Sequence, residues 1–161
     1  MPKIVSQMVQ VFVFRDTAGR NHEFLLIQRA PDEPVYPNMW QMVTGYVEDG
    51  ETAYEAARRE LEEETGLRVS WLWVVPYIAS FYNARSDLIE QIPVFAAQVD
   101  GGAAVKLSHE HSDHAWLDFD SALSRLVFPG HIRGLQVLNE HVLHGKENSL
   151  FVRIQFDDPA D

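Results

Sequence analysis

Four glutamates occupy five consecutive positions in the run Arg59-Glu60-Leu61-Glu62-Glu63-Glu64. Like charges at helical spacing destabilise an isolated helix by roughly a few tenths of a kcal/mol per pair. Folding alone gains nothing from such crowding, and a bound cation is the economical explanation. At about 100° per residue, Glu60, Glu63 and Glu64 fall within one arc of a helix, whereas Glu62 points to nearly the opposite side, toward water. Three convergent carboxylates supply hard oxygen ligands of the kind that suits Mg²⁺ or Mn²⁺ rather than zinc. Magnesium is usually held by few carboxylates together with substrate phosphates, so the cluster points to a polyphosphate substrate.

The surrounding residues read as a device for aiming that helix. Thr52 followed by Glu55 fits a capping box, and Gly66 fits a helix stop in the left-handed region. Gly45 and Gly50 bracket a turn that feeds the helix. Tyr54, Ala57 and Leu61 share the face opposite the carboxylates and are expected in the core. Ala53 and Ala56 lie N-terminal to the glutamates on roughly the carboxylate face, where their small size is expected to leave room for the loop and a phosphate.

Taken together, Gly45, Glu51, Arg59-Glu60-Leu61, Glu63-Glu64 and Gly66-Leu67 resemble the Nudix box with every fixed position filled. The resemblance implies an α/β/α sandwich with a mixed sheet, spanning residues 1–161 as a single domain. It also implies metal-dependent hydrolysis, at phosphorus, of a nucleoside diphosphate linked to another group. By the same resemblance Glu60, Glu63 and Glu64 bind the metal, and Glu51 and Arg59 form a supporting ion pair that orients helix and loop. Phe24 to Arg29 resembles the family strand that ends in a basic residue, so Arg29 is a candidate for a substrate phosphate. Trp40-Gln41-Met42-Val43-Thr44-Gly45, followed by Glu48-Asp49-Gly50-Glu51-Thr52, is similar to the bacterial dihydroneopterin triphosphate pyrophosphatases. Thr44 stands where many family members carry a proline.

Downstream, Ser108 to Asp118 holds three histidines in six positions, His109, His111 and His114. No cysteine or clear fourth ligand accompanies them, which disfavours a dedicated zinc site and reads as a polar loop running into a strand. The order Glu110-His111, then Trp116-Leu117-Asp118, resembles the family segment whose glutamate reaches the metal from a loop. Glu110 is therefore expected as a further ligand or as the general base. Trp40, Tyr36, Phe81 and Tyr82 are stacking candidates for a purine or pterin ring, and Arg85, after the strand ending at Tyr82, is a candidate near phosphates.

The expected activity is a pyrophosphohydrolase acting on a nucleoside or pterin triphosphate. Two other readings stay open here. One is a dinucleoside polyphosphate hydrolase, which a tyrosine near Tyr82 sometimes marks, and the other is a non-catalytic nucleotide sensor, although such modules often lose box carboxylates that this chain keeps. The absence of cysteine excludes disulfides, thiolate zinc sites and cysteine nucleophiles.

Composition agrees with an enzyme domain. The 161 residues, 46% apolar, suffice for one real core. A net charge of −11 argues against a nucleic-acid polymer or an anionic membrane as partner. No apolar run reaches transmembrane length and MPKIVSQ does not read as a signal peptide, so a cytoplasmic protein is expected.

Along the chain, strands are expected at Ile4–Phe14, Glu23–Arg29, Arg68–Tyr82, Ile89–Val99 and Ala115–Leu117, the third and fourth antiparallel. Helices are expected at the box, at Asp120–Leu126 and at His131–His144, the last with a buried stripe of Ile132, Leu135, Leu138 and Val142. Ser149–Phe156 is a further strand candidate. The apolar run Val9–Phe14 is expected either at the sheet centre or pairing between subunits as a route to a homodimer.

Overall fold

The computed structural model describes residues 1–19, 21–145 and 152–157. Alternating apolar side chains and β-branched residues drive strands β1 (Lys3–Val5), β2 (Met8–Thr17), β3 (Asn21–Arg29), β4 (Trp40–Gln41) and β5 (Val43–Tyr46). Helix α1 (Ala53–Thr65) follows, then β6 (Trp71–Asn83), β7 (Leu88–Gln98) and β8 (His111–Leu117). Helices α2 (Phe119–Arg125) and α3 (Pro129–Val137), a π-helical turn over Leu138–Leu143 and strand β9 (Arg153–Gln155) complete the described elements.

The strands form one mixed sheet in the order β4-β3-β2-β7-β6-β9, with β1 added to β7, β5 to β2 and β8 to β3. β2 and β7 run parallel, and β6 and β7 antiparallel as expected from sequence. Successive side chains of a strand point to opposite faces, and each face has its own core. On one, Val9, Val11, Val13, Leu25 and Ile27 pack with Ala56, Ala57 and Leu61 of α1. On the other, Phe12, Phe14, Phe24 and Leu26 pack with Ala122 of α2 and with Leu135 and Val137 of α3. The result is the expected α/β/α sandwich.

Several expectations need correction. The first expected strand divides at Ser6-Gln7, because β1 and β2 both pair with β7, at Lys3↔Leu88 and Gln10↔Val94, in registers that differ by one residue. The sixth strand starts at Trp71 rather than Arg68, since Leu67 and Val69 turn into the α1 core instead. The segment from His111 to His114 is strand, held by antiparallel pairing with β3 that the polar side chains do not reveal. The final helix is α-helical only to Val137 and then widens into the π-helical turn. Its stripe remains, with Leu135 and Leu138 fully buried and Ile132 half-buried. Ala56 is fully buried in the α1 core, so its small size serves close helix–sheet packing and leaves no room for a phosphate. Residues 149–151 of the last strand candidate lie outside the described residues.

β2 lies at the sheet centre, with β7 on one side and β3 and β5 on the other. Val9–Phe14 is therefore not an edge through which two subunits pair. Among the described residues no helix is long and apolar enough to cross a membrane.

β2 also splits the sheet. It pairs with β3 over Val13–Thr17 but with β5 over Met8–Val11, while β3 pairs onward with β4 over Ile27–Gln28. Between β4 and β5 the chain passes through buried Met42 from one partner to the other. The divergence falls at Met42, and β5 leads on from it into the loop to α1. Leu61 anchors α1 there, and Leu61→Ala is expected to lower stability by about 2–5 kcal/mol, measured by urea unfolding without added metal.

Candidate active site

Helix α1 starts as its sequence dictates. Thr52 Oγ1 accepts from the Glu55 N–H and Glu55 Oε2 accepts from the Thr52 N–H at 2.8 Å, closing the capping box. It stops at Gly66, whose φ of 69° suits a residue without Cβ and whose N–H donates to Glu62 O at 2.8 Å. Glu62 points outward as expected and pairs with Arg68 at 2.6 Å.

The expected ion pair is present and extended. Arg59 donates through Nε to Glu51 Oε1 at 2.8 Å and through Nη2 to Glu51 Oε2 at 3.0 Å, a two-bonded fork. Nη2 also donates to Tyr46 O at 2.8 Å, while Nη1 reaches Glu60 Oε1 at 2.9 Å and Glu63 Oε2 at 3.2 Å. One guanidinium thus fastens loop, strand β5 and helix together. Glu51 in turn accepts from the Glu48 N–H at 2.9 Å, which shapes the loop. The Arg59 bonds hold the Glu51 carboxyl below its usual range and keep Arg59 charged.

Glu60 and Glu64 face the sheet. Any side chain at Gly45 would run into the Glu60 carboxyl, so β5 carries glycine at that contact. Burial raises the Glu60 carboxyl pKa against the pull of Arg59. Glu64 is only 6% exposed, and its Oε2 has no hydrogen-bond partner. Desolvation first, then the charges of Glu60 and Glu110, lift its pKa from the ordinary 4.5 to about 9. Glu63, in contrast, projects into solvent.

β3 and β8 complete the surroundings. Arg29 and His111 face each other across the two strands, and both Arg29 and Glu110 act electrostatically on Glu64. Arg29 is anchored to Val35 O at 2.7 Å and to Glu33 at 3.1 Å. Glu110, exposed, sits at the head of β8, where the Ala30 N–H donates to its carbonyl at 2.8 Å. His111 is buried, and burial drives its pKa down to about 4, so it is neutral. Gln41 lies 3.4 Å from His111 Nε2. Sequence reading passed over Gln41, although a glutamine next to buried Met42 in an apolar strand was a visible signal.

The remaining candidates lie elsewhere. Trp40 is half-buried under the guanidinium of Arg125, 4.7 Å from the ring centre. Tyr82 is exposed and donates to Asp87 Oδ1 at 2.9 Å across the β6–β7 hairpin, and Arg85 lies in the turn of that hairpin. An open groove of about 980 Å³ runs along the outer side of α1, past Arg58, Arg59, Glu62 and Glu63. It touches the cluster only through Glu63 and Arg59.

The side chains that could offer oxygen donors to a cation are Glu60, Glu63, Glu64 and Glu110. Among the described residues no three such groups converge as a ready cage; the Arg59 guanidinium bonds both Glu60 and Glu63 instead. The buried, unpartnered Glu64 oxygen and the hard carboxylate donor set fit a divalent ion.

The NUDIX domain profile matches residues 7–138. The chain belongs to the Nudix hydrolase family. It is 32% identical over 101 residues to the nucleoside triphosphatase NudI of Escherichia coli, covering 58% of this chain and 72% of that protein. It is 39% identical over 119 residues to an octanoyltransferase of Myxococcus xanthus, covering 70% of this chain but only 31% of that relative's length. Among solved structures, a Listeria monocytogenes protein described as a NUDIX hydrolase superposes with a TM-score of 0.74 at 26% identity, covering 87% of this chain and 96% of the other. Within the box of this Nudix chain, Gly45 abuts the Glu60 carboxyl, and Leu61 and Leu67 pack in the α1 core.

The Glu64 carboxyl gives a pH signature. In the unfolded chain it ionises near 4.5, and in the folded, metal-free protein near 9. The folded state therefore binds the extra proton between those values, and stability falls as pH rises through that window. Glu64→Gln removes the loss: without metal at pH 8.5 the variant is expected to be more stable than the parent by on the order of 1 kcal/mol or more, with the gap closing by pH 5 in parallel thermal melts.

Proposed function

We propose that this Nudix chain is a pyrophosphohydrolase that cleaves a phosphoric anhydride of a nucleoside or pterin triphosphate, using Mg²⁺ or Mn²⁺ held by Glu60, Glu63 and Glu64. The observation that carries the reading is the buried, unpartnered carboxyl of Glu64 beside a second partly desolvated carboxyl, Glu60. Buried polar groups are normally satisfied, and a carboxylate kept dry at this depth has its use in gaining a cation.

Bound there, the cation supplies a lowered pKa for an attacking water and charge compensation on the phosphate oxygens. With such an ion bound, Glu64 would be deprotonated and would hold it as an oxygen ligand. Arg59 would then be free to leave Glu60 and Glu63, while its two-bonded fork to Glu51 keeps loop and helix aligned. Glu110 takes the proton of the attacking water as general base, its position beside Glu64 and its exposure both suiting that role. Arg29, already fixed through Nε and Nη2, offers positive charge to the polyphosphate next to the carboxylates. His111, neutral and buried with Gln41 behind it, closes the back of the site against water.

The nucleoside triphosphatase name of the NudI relative supports the triphosphate reading, and the Trp40–Thr52 pattern supports the pterin member of that class. The dinucleoside polyphosphate reading rests on Tyr82, whose hydroxyl is taken up by Asp87, so no geometry favours it.

The test is a substrate panel with Mg²⁺, scored by phosphate against pyrophosphate release. Pyrophosphate release from a triphosphate by the parent is expected, with kcat about 10²–10³ lower in Glu64→Gln and Glu63→Gln. Near-normal kcat in both variants would sink the metal assignment. A second expectation concerns protons. Titration calorimetry with Mn²⁺ in buffers of different ionisation enthalpy is expected to find proton release approaching one per ion at pH 7.5, and tighter binding as pH rises toward 9. Proton-neutral binding would remove Glu64 from the ligand set.

A further inference from the structure

Between β3 and β4, residues 30–39 carry Pro31, Pro34 and Pro37 and fold back on one residue, Arg29. The Arg29 N–H donates to Met39 O at 2.9 Å, and Arg29 O accepts from the Asn38 N–H at 3.0 Å. The same segment takes the side chain: Nε donates to Val35 O at 2.7 Å and Nη2 to Glu33 Oε2 at 3.1 Å. Gln28 Nε2 adds a bond to Asn38 O at 3.0 Å. Backbone and guanidinium of Arg29 are thus held by one strap. The prolines fix φ at their positions and leave the strap few other shapes.

β8 acts on the same residue from its other side. Its register against β3 steps from Gln28↔Asp113 to Arg29↔His111, which leaves Ser112 as an extra residue, a bulge. Bulges bend a strand and re-aim the side chains beside them. Arg29 is the residue beside this one, and its charge acts on both Glu64 and His111.

The strap keeps its shape against backbone strain. Tyr36 and Asn38 have φ of 49° and 62°, in the left-handed region. Asparagine tolerates that region, whereas tyrosine enters it rarely. Such a conformation persists only where the surroundings over-determine it. Here the Tyr36 carbonyl accepts from the Met39 N–H at 3.3 Å. The Tyr36 ring, although 57% exposed, stands edge-on to Phe128 with the centres 5.1 Å apart, a favourable aromatic geometry. Phe128 is the half-buried N-cap of α3 and is itself set against His131 at 5.3 Å. The aromatic pair therefore ties the strained residue to the helical layer.

We propose that Tyr36 and Phe128 are positioning residues: their ring contact latches the 30–39 strap, and the strap holds the Arg29 guanidinium ready for the substrate's phosphates. The inference rests on the polyphosphate reading above and adds to it two residues that touch no reacting atom. A long side chain that is still mobile loses its rotamer freedom when it grips a ligand, and one already fixed does not. The strap takes two of the five guanidinium N–H donors and leaves three for phosphate oxygens. Without the latch, Tyr36 relaxes out of the left-handed region, Val35 O and Glu33 move with it, and Arg29 samples other rotamers. Tyr36, expected from sequence to stack on a heterocycle, acts instead through Phe128.

The experiment is calorimetry with Mg²⁺ and methylenediphosphonate, a non-hydrolysable ligand that offers phosphonate oxygens and no ring. It compares the parent with Arg29→Ala, Tyr36→Ala, Phe128→Ala and the two double variants, each checked for folding by circular dichroism. Arg29→Ala is expected to weaken binding by about tenfold to a hundredfold, and each latch variant by about twofold to tenfold. In the Arg29→Ala background the latch substitutions are expected to cost nothing more, and Phe128→Tyr, which keeps a ring, to bind as the parent does. Single latch variants that bind like the parent, or losses that add in the double variants, would overturn the proposal. The Arg29 Nε–H, bonded to Val35 O, reads the strap without ligand through its proton–nitrogen NMR signal. Its exchange with water is expected to quicken by about tenfold in Tyr36→Ala, and an unchanged rate removes the latch. If the parent binds no phosphonate, the polyphosphate reading fails, while this exchange rate still upholds or removes the strap.

Discussion

The guanidinium of Arg59 is the contact on which the geometry of this site depends. Through one planar group it ties Glu51 of the loop, the Tyr46 carbonyl of β5, and Glu60 and Glu63 of the helix. From Glu51 to Glu64 the chain carries six carboxylates on elements that must touch, besides Glu48 and Asp49 in the loop, and without a cation between them their repulsion would push helix and loop apart. Lysine could not substitute, because a point charge cannot hold a two-bonded fork to Glu51 and still reach two further acceptors in fixed directions. The same contact brings positive charge to Glu60 and Glu63 in the metal-free fold.

Burial then divides the carboxylates by role. Glu62 and Glu63 remain in water, Glu51 is held ionised by Arg59, and Glu64 is pressed against the sheet, where only its neutral form is comfortable. Glu60 and Glu64, raised by burial, and Glu51, lowered by Arg59, acquire opposite protonation behaviour solely from position and packing. The sheet adds the second constraint. β2 exchanges β3 for β5 halfway along its length, and the Glu60 side chain of α1 packs directly on Gly45 of β5.

Much of this was readable in the chain before any coordinates. The capping box of Thr52 and Glu55, the left-handed stop at Gly66 and the inward face of Ala57 and Leu61 all follow from local rules, because they depend on contacts within four residues. The Glu51–Arg59 pair was legible only through its resemblance to a known box. What stayed hidden depends on partners distant in sequence. The break at Ser6-Gln7 comes from a one-residue change of register against β7, and the strand character of His111–His114 comes from backbone bonds to β3. Ala56 was misassigned because its angular position on the helix cannot tell a substrate-facing side from one packed on the sheet. Gln10 and Glu90 sit on strands among apolar residues, and their burial follows only from the assembled sheet.

The central claim is that the Arg59-bridged carboxylates are a metal site at rest. A crystal structure of the protein soaked with Mn²⁺, read by anomalous scattering, tests it most directly. The account predicts a manganese peak ligated by Glu64 together with Glu60 or Glu63, with Arg59 withdrawn onto Glu51. A peak elsewhere, or none while Arg59 still bridges Glu60 and Glu63 and Glu64 Oε2 stays unpartnered, would contradict it.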